Sequence, residues 1–521
     1  MSNTNGKTHE PIGAHATPPG RTFTMGDPPQ AWPLAGHLLR LVRDPLAFLR
    51  SLPACGDLAR VRLGPWQVIV VCDPALTRQL LLDDQTFDKG GPLVDRAREF
   101  MGNGLATCPH RDHRRQRRQL QPAFHPARQS GHARVMADHI TAIVGAWQGG
   151  EELDPVTEMH TLTARVLVAT MFGTALPATT VNRLIDDLTT VMNGLGRRML
   201  MPPLVNKLPL PGNRRFERAR QRLRHTLTQA IAASVSAGTG YGDLLSILVR
   251  LADSATPSPQ GLPGPTDASP DAEGLIDQIV SFFVAGVETV ATTLAWALHL
   301  LANHPDVLAR LHTEVDTVLD GRTAAAFDDL PRLKLTGRIL TETLRLYPPA
   351  WMLTRTTAMD TDFAGHHIPA GTTVAISPYL LHHRADLFPN AEVFDPDRWD
   401  PQTATPPPRD AWVAFGGGAR KCIGVTFAMT QGTLVLATIA AHWNFRPIPG
   451  RTVSAAPRGT LTPRGLRLHL SARPSPPASG ADMTAPTAAP SSAPTTAGGQ
   501  PTSPVSLNAS PPSPPRDTEP G

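Results

Sequence analysis

The sequence predicts one large, mainly α-helical domain with a small β region, flanked by unstructured ends, and three observations predict it. Segments rich in Ala, Leu and Arg with helical spacing fill most of the stretch 28–471. Only residues 60–72 look like paired strands. Of the 54 prolines, 25 fall in the two ends and in two connections, and none falls inside the predicted helical segments. With 41% hydrophobic and 18% charged residues, the chain has enough apolar material for a substantial core.

In chain order, residues 1–27 are rich in Thr, Pro, Gly and Asn and lack the basic-then-apolar pattern of a secretory signal, so a disordered N-terminal segment is expected. Residues 60–72 (RVRLGPWQVIVVC) read as two short strands around a Gly64-Pro65 turn. Helices are expected over 111–120, 134–147, 160–171, 180–199 and 213–236, with 199–211 (MLMPPLVNKLPLP) an apolar connection broken by proline. A second Pro-rich loop, 253–271, precedes the long apolar stretch 275–301. That stretch holds Asp277, Gln278, Glu288, Thr289, Thr292, Thr293 and His299, too many polar groups for lipid, so it reads as a buried helix. Residues 472–521 are almost wholly Pro, Ser, Ala, Thr and Gly and are expected to be a disordered tail without chemistry. No membrane anchor is expected, and a cytoplasmic location is.

The formal charge of +5 is small for 521 residues and does not point to nucleic acid. Four cysteines, Cys55, Cys72, Cys108 and Cys422, are too few and scattered for a disulfide framework and suit a reducing compartment. Cys55 and Cys72 read as core. Cys108 with His110 and His113 gives only three neighbouring ligands with no partner set following, a poor metal site.

Cys422 is different. It sits in Phe415-Gly-Gly-Gly-Ala-Arg-Lys-Cys-Ile-Gly424, followed by a helical pattern over 423–441. Glycines 416, 417, 418 and 424 allow backbone turns and close approaches that side chains forbid. A sulfur at a helix N-terminus is favoured as thiolate by backbone N–H groups and the helix dipole. A thiolate is a strong iron ligand whose electron donation favours O–O cleavage. The bland alternative is a buried free cysteine beside a Gly-rich turn.

The segment 415–424 matches, at each defined position, the FxxGxRxCxG signature of haem-binding loops. Ala285-Gly-Val-Glu-Thr289, Glu342-Thr-Leu-Arg345 and Pro396-Asp-Arg-Trp399 occur in the matching order. On these residues the stretch 28–471 resembles the cytochrome P450 superfamily. The resemblance implies a fold with haem b between a long central helix and the Cys-bearing loop, and Cys422 as iron ligand. O2 would be co-substrate. Phe415, Gly416, Gly424, Ala285 and Gly286 would form the slot. It implies that His113, Arg117, Arg355 and Arg420 meet the haem propionates. Glu288 and Thr289 would hold water and relay protons for catalysis. Glu342, Arg345 and Arg398 would be a structural network bracing the Cys422 side.

No dinucleotide fingerprint follows a predicted strand, so electrons from NAD(P)H must arrive through separate proteins, a ferredoxin and its reductase. The exposed-looking Arg114, Arg115, Arg118 and Lys421 would suit an acidic ferredoxin, although ordinary surface charge reads nearly as well. The protein is expected to be a monomer.

For substrate, the resemblance points to residues 87–101, 199–211, 282–293, 351–353 and 460–461, which are mostly apolar, so a small hydrophobic molecule held by shape is expected. Residues 43–48, 87–92, 113–118 and 121–125 are similar to soluble bacterial members that oxidise sesquiterpenes, those acting on pentalenene especially. That makes a terpene of secondary metabolism the favoured substrate, with fatty acids or macrolides as alternatives. No DDxxD motif is intact, so terpene cyclisation is not expected. A haem isomerase, a peroxide-using enzyme and a non-catalytic haem sensor are the competing classes. The Glu288-Thr289 pair speaks against the first two, and the lack of a signalling module against the third.

Overall fold

The computed structural model describes residues 21–173, 176–200, 205–206, 208–237, 245, 272–408 and 410–473. Most of segment 1–27, the loop 253–271, part of 199–211 and nearly all of the tail 472–521 lie outside the described residues.

Helices dominate, and their starts follow from sequence. Asp44, Asp73 and Asp154 each place a carboxylate on the first free N–H groups and are each followed by Pro, which has no N–H to leave unpaired. The described helices are α1 (Leu38–Arg43), α2 (Pro45–Ser51), α3 (Pro74–Leu82), α4 (Pro92–Met101), α5 (His110–Leu120), α6 (Gln129–Val144), α7 (Pro155–Phe172), α8 (Ala178–Leu200), α9 (Pro211–Ala237), α10 (Ala272–Asn303), α11 (Pro305–Leu319), α12 (Lys334–Leu346), α13 (Pro378–His382) and α14 (Val425–His442).

The predicted strand pair is present as β2 (Leu58–Leu63) and β3 (Trp66–Val71), antiparallel with Leu63 opposite Trp66. These join a six-stranded sheet in the order β1-β2-β3-β9-β6-β4, with β1 Met25–Gly26, β4 Phe87–Asp88, β6 Leu353–Thr357 and β9 Thr373–Ile376. Among the described residues three smaller sheets accompany it, one of them the hairpin of β11 (Ser454–Pro457) and β12 (Leu461–Arg464). The sequence reading placed residues 21–27 outside the core. Instead β1 pairs with β2, Phe23 is buried, and Arg21 bridges Asp57 and Asp73 at 3.0 and 2.8 Å.

The main core forms where α6, α7, α12 and α14 close around α10. At 32 residues, α10 is about 48 Å long at 1.5 Å per residue. Among the described residues, it and α14 are the two helices apolar and long enough to cross a membrane, and two thirds of each apolar window is buried inside the fold, as expected for core helices. Gly286 shows how tightly α7 packs on α10: a Cβ there would stand 3.1 Å from Leu167 Cδ2. Trp296, also on α10, is fully buried, stacks on Tyr347 at 3.7 Å, and donates its indole N–H to Leu461 O at 2.7 Å. Buried this way, the indole brings both area and a satisfied polar atom.

Candidate active site

Cys422 lies in the loop that leads into α14, two residues before the N-cap Gly424. Its N–H donates to Phe415 O at 3.0 Å, closing the loop on itself. Gly418 has φ +62° and its missing side chain faces Leu81 O, which a Cβ would approach to 2.0 Å. Only glycine lets this loop seat on the end of α3. At Gly416 and Gly424 a Cβ would meet no protein atom within 4 Å, and both residues line a cavity of about 350 Å³. The surface that Cys422 exposes is wall of this cavity.

The opposite wall is α10. Ala285, Thr289 and Thr293 lie along one stripe of it, joined by Phe282 and Val290. Thr289 Oγ1 donates to Ala285 O at 2.5 Å and Thr293 Oγ1 to Thr289 O at 2.8 Å, so both hydroxyls bond back into their own helix. Glu288 is not among the cavity-lining residues. Its carboxylate accepts from Thr460 Oγ1 at 3.0 Å and lies 3.6 Å from His160 Nε2 of α7. Burial holds the His160 pKa down, while Glu288 pulls it the other way.

One end of the cavity is cationic: Lys89, His113, Arg117, Arg355 and Arg420 all line it. Arg420 takes both nearby carboxylates, Asp84 at 3.3 Å and Asp88 at 2.7 Å, and also Cys108 O at 2.7 Å. Among the described residues, Lys89, Arg117 and Arg355 have no carboxylate partner. Arg117 donates to Lys421 O at 2.6 Å and Arg355 to Thr354 O at 3.0 Å. Burial, helped by the neighbouring arginines, lowers Lys89 to about 7, Arg355 to about 10 and His113 to about 4. Buried cations with so little compensation mark a place built for an anionic group.

The cytochrome P450 family model matches residues 27–469. The chain belongs to the cytochrome P450 family. It is similar to the Cyclooctat-9-en-7-ol 5-monooxygenase of Streptomyces melanosporofaciens, at 44% identity over 84% of this chain and 93% of the relative. Against the Pentalenene oxygenase of Streptomyces avermitilis identity is 42% over 87% and 98%. Against the Cyclooctatin synthase of Streptomyces melanosporofaciens it is 43% over 84% and 94%. This P450 is therefore a haem-thiolate monooxygenase, using haem iron and O2, a hydrophobic substrate and electrons from redox partners.

The residues present fit a haem. A thiol faces the cavity, a small-residue stripe of α10 lies across from it, and among the described residues Lys89, Arg117 and Arg355 lack the carboxylates that two propionates would supply. Burial pushes the Cys422 thiol up, against the expectation of a locally favoured thiolate. The Gly424 N–H, Arg117, Lys421 and Lys89 oppose that rise without overcoming it. A bound metal cation is what keeps such a sulfur ionised.

Of the residues singled out from sequence, Cys422, His113, Arg117, Arg355, Arg420, Phe415, Ala285, Gly286, Gly416, Gly424 and Thr289 all line the one cavity. Two placements add detail. Gly286 lines the cavity, and its missing side chain also makes room for Leu167. Glu288 points toward β11–β12 and α7 because Thr460 and His160 offer the polar partners there.

Lys89 was missed as a cavity cation. Of the expected substrate-pocket segments, 282–293 lines the cavity broadly and 351–353 through Leu353 alone. Segment 87–101 contributes Lys89, and the described part of 199–211 contributes nothing. Residues 460–461 serve instead as partners for Glu288 and Trp296. Leu105 and Ala106, not foreseen, form part of the wall. Among the described residues no group of three His, Cys, Asp or Glu side chains is placed to hold a metal ion.

Glu342 and Arg345 are fully buried and bond through two 2.8 Å contacts. Arg345 also donates to His382 O, Ala391 O and Val393 O, and Glu342 accepts from Arg398 at 3.4 Å and from the Trp399 indole at 2.8 Å. The trio read from sequence thus meets, with Trp399 as an unforeseen fourth member.

Proposed function

We propose that this P450 hydroxylates or otherwise oxidises a terpene in secondary-metabolite biosynthesis, drawing electrons from NAD(P)H through a ferredoxin reductase and a ferredoxin. The observation that carries the reading is the cavity between Cys422 and Thr289, walled by Leu105, Ala106, Phe282, Val290, Ala350 and Leu353, with its charge confined to one end. Such a wall selects a compact apolar skeleton by shape. The names of the relatives, a pentalenene oxygenase and a cyclooctat-9-en-7-ol monooxygenase, support a terpene over a fatty acid or macrolide.

In this reading Cys422 holds the iron, and the bound haem supplies O2 activation. Lys89, Arg117, Arg355 and Arg420, with His113, hold the propionates by charge-assisted hydrogen bonds. Phe415, Gly416, Gly424 and Ala285 keep the slot flat, with Gly286 setting the distance of α7. Thr289 holds a proton at Oγ1 and passes it toward the cavity once that hydroxyl leaves Ala285 O. Glu288 recharges Thr289 by turning away from Thr460, with His160 beside it as the group next in line. Glu342, Arg345 and Arg398 hold the frame on the Cys422 side. The enzyme works as a monomer in the cytoplasm, with the exposed Arg114, Arg115, Arg118 and Lys421 receiving the ferredoxin.

The test is a screen of terpenes, including pentalenene, beside fatty acids and macrolides, read by the low-to-high-spin shift and by mass spectrometry under labelled O2. A terpene that gives both the shift and a product carrying one labelled oxygen is expected. A shift and turnover with fatty acids alone would overturn the terpene assignment.

A further inference from the structure

A patch whose residues do not line the cavity is unaccounted for by any of these roles. Among the described residues eleven large apolar side chains are exposed, and six of them, Trp32, Leu34, Leu38, Leu39, Val42 and Trp66, fall within residues 32–66. They are neighbours in space. Trp32 and Gly36 exchange backbone hydrogen bonds at 2.9 Å, closing a tight loop. Gly36 bridges to Leu63, and Gly64 donates to Ala35 O at 3.1 Å, which lays that loop on the β2–β3 turn beside Trp66. His37 then leads into α1, a helix with no buried residue, whose Leu38, Leu39 and Val42 continue the apolar face.

Leu34 is the tip of this surface and is 98% exposed with φ +64°. A branched side chain in the left-handed region is strained, and glycine there would remove both the strain and the exposed apolar area. Leu34 is stabilising only where something receives it. The charges around the patch say what that is. Arg43 and Arg62 are exposed and, among the described residues, have no carboxylate partner. The adjoining acids are engaged: Asp44 caps Ala47 and Asp27 lies 3.5 Å from Arg60.

We infer that the loop 32–36, the turn at 64–66 and α1 dock this protein on the surface of a bilayer containing anionic phospholipid. Leu34 and the two indoles enter the headgroup boundary while Arg43 and Arg62 meet phosphates. A protruding tip needs a yielding medium, where a rigid protein partner would have to offer a matching pocket. Indoles flanked by arginines are the pairing that interfaces of lipid and water favour. Docking here is peripheral and crosses nothing. It would bring the enzyme to where apolar molecules collect, yet it does not rest on the terpene reading.

The experiment uses the full-length holoenzyme and extruded vesicles of phosphatidylglycerol and phosphatidylcholine in equal amounts, followed by flotation and by tryptophan emission. The protein is expected to float with the vesicles and its emission to shift to the blue. The Leu34→Ser/Trp66→Ser variant should partition about tenfold more weakly, with its haem spectrum unchanged. Arg43→Glu/Arg62→Glu, or vesicles of phosphatidylcholine alone, should cost about fivefold. Wild-type protein that stays out of the floated fraction overturns the inference, as does flotation that neither double variant weakens. A dimer in ultracentrifugation that Leu34→Ser/Trp66→Ser dissolves, without vesicle binding, overturns it in favour of a second copy of the chain.

Discussion

At the scale of single residues, Lys89 has the most to lose from an empty anion site. Its ammonium is held at about 7 by burial and by Arg355 and Arg420, so neighbouring carboxylates must raise it again. By linkage, haem affinity is strongest where Lys89 is charged without haem, at and below about pH 7. Above that, binding must take up a proton, and affinity falls as pH rises toward the ordinary lysine value of 10.5. Lys89→Met should release haem to an acceptor protein roughly ten- to a hundredfold faster at pH 7, the loss of one hydrogen bond to a charged group worth about 1.5–3 kcal/mol. It should also flatten the pH dependence, and a variant whose haem loss keeps the wild-type pH profile would remove Lys89 from the propionate site. Thr289→Ala should leave substrate binding intact and lower product formed per reductant consumed by about tenfold or more. If the ratio of product to reductant is unchanged, Thr289 moves no proton.

At the scale of elements, the sequence made helices legible but not their faces. α5, α8, α9 and α10 lie where spacing predicts, because local periodicity is enough to mark them. α10 is apolar nearly all round, so periodicity alone could not tell which side meets the cavity. Gly286 was legible as a residue of the cavity wall, but not as the point where Leu167 of α7 packs on α10. Lys89 was hidden for a related reason: it follows β4, two residues long, whose pairing of Phe87 with Thr357 spans most of the chain. Residues 21–27 were lost the same way, since β1 is two residues long and pairs with a strand beyond residue 57. The Glu342–Arg345 pair was legible because both ends lie on one helical turn, but its depth was not. A pair with no exposure at either end is strongly destabilising to break on one side, by about 3–5 kcal/mol. Glu342→Ala should lower the midpoint of chemical denaturation accordingly. Arg345→Lys should fare little better, because one ammonium cannot serve Glu342 and three carbonyls together.

At the scale of the whole molecule, electrons have to cross from another protein, and the charge distribution governs where. The net charge is only +5, but Arg114, Arg115 and Arg118 stand exposed on α5, whose Arg117 bonds Lys421 O beside Cys422. An acidic ferredoxin placed there would lie close to Cys422 with little intervening protein. Long-range attraction between opposite charges speeds encounter and weakens with salt, since the screening length falls from about 10 Å at 0.1 M to about 3 Å at 1 M. Reduction of the substrate-bound enzyme by an acidic ferredoxin should therefore slow markedly as salt is raised. Arg114→Glu/Arg118→Glu should cut the low-salt rate by about tenfold and abolish most of its salt dependence. The spin shift on substrate binding should not move, because neither side chain lines the cavity. Stopped-flow reduction under carbon monoxide measures both quantities on one sample. A charge-reversed variant reduced as fast as wild type, with the same salt slope, would place the electron entry elsewhere on the surface and leave the α5 arginines as ordinary solvated charge.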